Sequence, residues 1–294
     1  MRLIDQLQRL YCLPQQSGHV LPPGAAVTAP ARRLAAADLE RGPAGEAAIA
    51  LHLTSPEGYA RALVIEFARS AHWPQAAALC QALTEELELP APAVAVGGPA
   101  GYQLWLSLAE PQPVAAVHAF LQALVHKYLA DVPAAARRCY PGDGGEGNDC
   151  PHLPPARLAN EGWSAFIDPT MGAMFADETW LPMAPNADKQ ADMLAALKSI
   201  STTDFQRALA QLQAESAAAM ADEPLAEPPA QPITKPFSVA PAATSASLAA
   251  PSLGSQFSDP RDFLLAVMND AGASTEQRIE AAKALLPYFH GPKR

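Results

Sequence analysis

The chain has 294 residues, of which 49% are apolar and 17% charged, with a formal net charge of −10. That length and composition suffice for a sizeable core, and the acidic balance without a basic stripe excludes a broad phosphate-reading surface. Four irregularly spaced cysteines form no disulfide framework.

Residues 1–47 read as a helix and a strap. Leu3, Ile4, Leu7, Leu10 and Tyr11 form a helical stripe, and Pro14 and a Gly/Pro/Ala-rich stretch follow. Acid and amide at Asp5 and Gln6 come too early for a signal peptide, and no apolar run reaches membrane-spanning length. A cytoplasmic protein with no membrane partner is therefore expected.

Ile49 to Thr54 and Arg61 to Phe67 are β-like runs around the turn cluster Ser55 to Tyr59, which predicts a hairpin. A helix from Trp73 to Glu88, a strand over Ala93 to Val96, a glycine-rich turn, a strand from Tyr102 and a helix over Val114 to Leu129 come next. Both helices are expected on one face of the sheet. Pro133 to Pro155 reads as a long irregular connection. Short strands over Trp163 to Asp168 and Ala173 to Phe175, and helices near Ala187 to Leu197 and Thr203 to Glu215, complete an α+β domain over 48–221. Residues 222–256, rich in Pro, Ala, Ser and Thr, read as a disordered linker. Residues 257–294 read as a helical hairpin, opened by the cap pair Asp259-Pro260, that serves as a protein-docking element.

Two acids two residues apart on a strand would point to one face and could hold divalent metal for phosphoryl transfer. Here the first position is Glu66 and the second is Ala68, and Asp168 ends a later strand. As ordinary features, Glu66 and Asp168 are solvated strand-end acids. The turn Gly97-Gly98-Pro99-Ala100-Gly101 fits neither a P-loop nor a dinucleotide fingerprint, since Pro99 lacks a donor and no helix follows. Gly98 and Gly101 are the glycines that would let a phosphate approach, and Tyr102 and Trp105 are the aromatics for base stacking. Those two lie an odd number of residues apart and cannot share a face, and core packing is their commoner role. Cys139, Cys150 and His152 offer thiolate and imidazole in one irregular segment, but three ligands without closely paired cysteines make zinc unexpected. His19, in the strap, stands alone in the sequence.

The order hairpin, acid strand, helix, strand, Gly-rich turn, strand, helix and late acid strand over about residues 48–200 resembles the archaeo-eukaryotic primase and primase-polymerase core. Glu66 matches that family's first acid, Ala68 replaces the second, Gln103 in Gly101-Tyr102-Gln103-Leu104-Trp105 stands where His is expected, and Asp168 matches the third acid. The resemblance implies an RRM-like antiparallel or mixed sheet covered by helices, and a degenerate site that has lost polymerase activity. The segments Asp259 to Asp270 and Arg278 to Tyr288 resemble a helical part of small terminase-like phage proteins. Together these imply a non-catalytic protein of a mobile element or prophage, associated with single-stranded DNA or with a replication or packaging protein. The alternatives are a residual nucleotide-processing enzyme using Glu66, Gln103, Asp168 and magnesium, or a purely protein-binding adaptor.

Overall fold

The structure is a computed structural model, and it describes residues 2–27, 30–98, 101–142 and 150–221, all within the unit Met1–Ala226. The linker over 222–256 and the hairpin over 257–294 lie outside the described residues.

Alternation along the strands builds a mixed α+β architecture of two antiparallel sheets. The larger is assembled from β4 (Tyr59–Phe67), β5 (Ala93–Val96), β6 (Tyr102–Pro113), β7 (Arg137–Tyr140), β8 (Ala156–Arg157) and β9 (Trp163–Ile167), in the spatial order β7-β4-β6-β5-β9-β8. Between β4 and β5 comes α3 (Trp73–Glu85), and between β6 and β7 comes α4 (Val114–Tyr128).

Because successive strand residues point to opposite faces, one strand set supplies two different cores. Leu63, Ile65 and Phe67 of β4, with Leu104 and Leu106 of β6, face a layer formed by α3, α4 and α6 (Thr202–Ala221). Phe120 and Phe205 meet there with ring centroids 5.2 Å apart. The two predicted helices do cover one face together. Ala62, Val64 and Trp105 face the other way, onto α1 (Arg2–Tyr11) and α5 (Ala187–Ala195). The stripe Leu3, Ile4, Leu7, Leu10 and Tyr11 is wholly buried in that second layer, each aliphatic side chain contributing on the order of 2 kcal/mol.

Three sequence expectations are corrected. The predicted hairpin forms only at its turn, where Thr54 bridges Ala60 and the Ser55 N–H donates to the Tyr59 carbonyl at 2.7 Å; β3 (Ala48–Leu51) pairs with β1 (Ser17–Leu21), not with the acid strand. The strap thus carries strands, and with β2 (Arg32–Arg33) they form a small sheet ordered β2-β1-β3, while α2 (Ala36–Glu40) sets Leu39 into the second layer. The irregular connection contains β7, which seals the edge of β4. Its Arg137-Arg138-Cys139-Tyr140 sequence hides the apolar alternation. Ala173 to Phe175 is not a strand but part of a 3-10 helix over Pro169–Phe175.

Beyond β3, residues 150–153 extend the small sheet, with the Leu51 N–H donating to the Pro151 carbonyl and the Leu153 N–H to that of Ile49. Ala50 bridges His152 in this register. Ile49 and Leu51 face the second core layer, whereas Ala48 and Ala50 face away from it with Leu21 and Cys150.

Candidate functional site

At one end of the second sheet face the apolar pattern stops. Glu66 pairs with Gln103 on one neighbouring strand and with Arg138 on the other, so three polar residues stand in one row across β7, β4 and β6. Glu66 is only 6% exposed and Gln103 1%, a placement that strands accept only when hydrogen bonds replace water.

Those bonds form a directed chain. The Trp105 indole N–H donates to Gln103 Oε1 at 3.0 Å, and the Gln103 amide donates through Nε2 to Glu66 Oε1 at 2.6 Å. The Tyr140 hydroxyl donates to Glu66 Oε2 at 3.0 Å. Both carboxylate oxygens are thereby engaged by charge-assisted bonds. The orientation of the Gln103 amide follows, since a flipped amide would set its NH2 against the indole donor.

Above this row lies a cleft of about 460 Å³, with Glu66, Gln103, Arg138 and Tyr140 at one side. Ala68, Cys150, His152 and Arg157 also line it. Burial holds the His152 imidazole below its ordinary pKa, so it is neutral at pH 7. The cleft lining therefore carries two guanidinium groups and one carboxylate. Of these guanidinium groups, that of Arg157 is paired with the exposed Glu161 carboxylate at 3.4 Å.

Glu66 and Gln103, expected together from sequence, are adjacent. Asp168 is not with them. It directly follows β9, a strand three spacings or roughly 14 Å from β4, too far for one metal to touch both. Its exposed carboxylate caps the 3-10 helix by accepting from the Thr170 N–H at 2.8 Å and the Thr170 hydroxyl at 2.6 Å. Those two bonds hold the Asp168 carboxyl below the usual carboxylate range.

The aromatics expected for base stacking are core residues on opposite faces. Tyr102 is fully buried against Trp73 at 4.9 Å and donates its hydroxyl to the Gly172 carbonyl. Trp105 is 1% exposed and packs on Tyr11 at 5.0 Å. The glycine turn is structural too. Gly98 and Gly101 have φ of 63° and 62°, and a Cβ on Gly101 would meet the Phe67 carbonyl oxygen at 2.0 Å. The N–H groups of Gly97, Gly98 and Gly101 donate to the carbonyls of Gly101, Thr179 and Gly98, which removes them as phosphate donors. Pro99 and Ala100 of the same turn lie outside the described residues.

The expected Cys139, Cys150 and His152 group is divided. Cys139 packs with the first core layer, across the sheet from Arg138 and Tyr140. Cys150 instead gathers with His19 and His52, one ligand atom from each lying within 4.8 Å of the others. Cys12 and Cys80, by contrast, are thiols pushed up to about 12 by burial.

Sequence reasoning missed Tyr140, Arg138, Arg157, His19 and His52. The first two fall in a charged strand read as loop. The histidines become neighbours only through the β1–β3 pairing, although alternation in Ala48-Ile49-Ala50-Leu51-His52 carried a hint that His52 shares a face with Ala48 and Ala50.

No protein-family model matches this chain, and no curated protein is significantly similar to it. Among the described residues, no helix is long and apolar enough to cross a membrane.

Proposed function

We propose that this chain is a catalytically silent primase-like protein whose ancestral nucleotide face has become a binding cleft for a nucleotide phosphate, either free or at the end of a single strand. The succession β4-α3-β5-β6-α4-β7 with spatial order β7-β4-β6-β5 supports an RRM-like core. In such a core, Glu66 and Gln103 occupy the two strands from which the resemblance expects the acid and the imidazole. Ala68 brings a methyl group to the cleft where the second acid would stand, and Asp168 is spent on a helix cap.

The observation that carries the reading is the cleft itself, lined by Arg138 on the strand next to the buried Glu66 carboxylate and by Arg157 on β8 at the far edge of the sheet. With both oxygens of Glu66 accepting from Gln103 and Tyr140, the carboxylate serves as a fixed element of the wall and not as a ligand for a magnesium pair. The guanidinium groups supply the charge and geometry that phosphate oxygens favour. Single-strand recognition by stacking on the sheet is disfavoured because Tyr102 and Trp105 are covered. A setting on a mobile element, with a replication or packaging partner, would fall to the C-terminal segment.

Calorimetric titration of the full chain tests the reading, with nucleoside triphosphate and a 5′-phosphorylated single strand as the two ligands at low salt. Binding of at least one, weakened about tenfold by Arg157→Ala and unaccompanied by nucleotide addition, is the expected result. Binding of neither ligand overturns it, as does template-directed extension that Glu66→Gln abolishes.

A further inference from the structure

The small sheet carries a second chemical feature on the face it turns away from the core. His19 pairs with Ala50 across β1 and β3, so His52, two residues beyond Ala50, projects to the same face one diagonal step away. The Ala50 and His152 bridge is antiparallel, which sets Cys150 directly across from His52. Two strands and an added segment thus deliver an imidazole, an imidazole and a thiol to one point from positions 19, 52 and 150. Their Nε2 atoms, His19 to His52, are 3.0 Å apart, and the three ligand atoms all fall within 4.8 Å.

We propose that His19, His52 and Cys150 bind one zinc-class divalent ion. Tetrahedral zinc with bonds of about 2.0–2.3 Å separates its N and S ligands by roughly 3.3–3.7 Å, so the triad needs only small side-chain adjustments to close on an ion. Soft thiolate with imidazole selects zinc, and cobalt as its probe, over magnesium or calcium. A second observation points the same way. His19 is 3% exposed, its Nε2 shares a proton only with the His52 ring and its Nδ1 has no hydrogen-bond partner, so this buried imidazole is incompletely satisfied and an ion would replace the imidazole-to-imidazole bond. Metal uptake converts the Cys150 thiol to thiolate and releases that proton to solvent.

No fourth His, Cys, Asp or Glu joins the group among the described residues. Three protein ligands with one position left over is the pattern of a site that receives water or a substrate group. Cys150 also lines the cleft beside Glu66, so the ion would stand in the cleft wall, where its fourth position suits an anionic oxygen. The site is independent of the nucleotide reading, and its test contains no nucleotide.

The full chain, stripped with chelator, is titrated with Co²⁺ alone and then with Zn²⁺ as competitor. The expected result is one equivalent of Co²⁺ with a thiolate-to-cobalt charge-transfer band that Zn²⁺ displaces. Cys150→Ser removes that band, His52→Gln weakens binding by at least about tenfold, and Cys139→Ser leaves both unchanged. Absence of stoichiometric Co²⁺ binding by the unmodified chain overturns the proposal whatever the variants do. A charge-transfer band that survives Cys150→Ser, or is lost with Cys139→Ser, overturns it as well.

Discussion

The two faces of the larger sheet are made by alternate residues of the same strands, yet they have different chemistry. Toward α3, α4 and α6 the row Leu63, Ile65, Phe67, Leu104 and Leu106 is unbroken and apolar. Toward α1 and α5 the row starts as Ala62, Val64 and Trp105 and ends as Glu66, Gln103 and Arg138. Stability alone would favour continuing the apolar row, because burying a carboxylate and an amide gains little even when every bond is made. A polar end on one face only, opening into the cleft, is what the proposed binding role would use, and the opposite face shows the apolar row continued to its end.

The largest effect should come from the silent face. Phe120 is fully buried and meets the Phe205 ring at a tilt, so Phe120→Ala should cost about 3–5 kcal/mol in denaturant unfolding. The folded fraction should keep its affinity for whatever the cleft binds. A change in affinity comparable to that of an Arg157 variant would break the separation of the faces.

On the polar side the smaller side-chain loss should give the larger functional loss. Glu66→Ala leaves the Gln103 amide and the Tyr140 hydroxyl without their acceptor, a cost of about 2–3 kcal/mol once relief from burying the carboxylate is allowed for. Cleft binding should fall at the same time, because the wall is no longer held. Full stability with full binding would mean that water replaces the carboxylate and that the network is ornamental.

Much of this contrast was legible in the sequence. Alternation in Ala62-Leu63-Val64-Ile65-Glu66-Phe67 declares two buried faces and puts Glu66 on the side of Val64. The 3.6-residue stripes of α3 and α4 declare one covering layer. Strand pairing was the illegible part. Ser55 to Tyr59 is good turn chemistry and the turn closes, but β3 gains more from burying Ile49 and Leu51 under α1 beside β1 than from pairing with β4, so tertiary burial stops the hairpin at the Thr54 and Ala60 bridge. The same long-range pairing conceals the His19, His52 and Cys150 cluster, whose members are isolated in sequence. β7 was illegible for a different reason: Arg138 faces the cleft and not a packed layer, so a correct strand lacks the apolar signature that strand reading depends on.

Trp105→Phe sharpens the boundary between the two ends of the polar face. The replacement keeps an aromatic ring against Tyr11 and removes the indole N–H that fixes Gln103. About 1–2 kcal/mol should be lost in unfolding experiments, with a modest rise in the mobility of the Gln103 side-chain amide measurable by NMR relaxation. An unperturbed amide would show that Glu66 alone orients Gln103.

The smallest effect belongs to a polar contact outside both layers, and it sets the scale for the buried ones. Asp38 accepts from Arg32 through both oxygens at 2.6 and 2.8 Å and also from the Ala35 N–H. Arg32 first, and then that backbone bond, hold the Asp38 carboxyl below the usual carboxylate range. A folded-state pKa below the unfolded value near 4 contributes stability that is complete at neutral pH. It is lost only as pH falls from about 4 toward the folded value. Solvent screens the exposed guanidinium, so Asp38→Asn should lower the urea midpoint slightly at pH 7, and the gap to the unmodified chain should narrow as pH falls below 4. A gap that stays constant through that window would assign the stabilisation to the shape of the α2 cap, and a gap as large as that of Glu66→Ala would erase the distinction between the buried polar row and an ordinary surface pair.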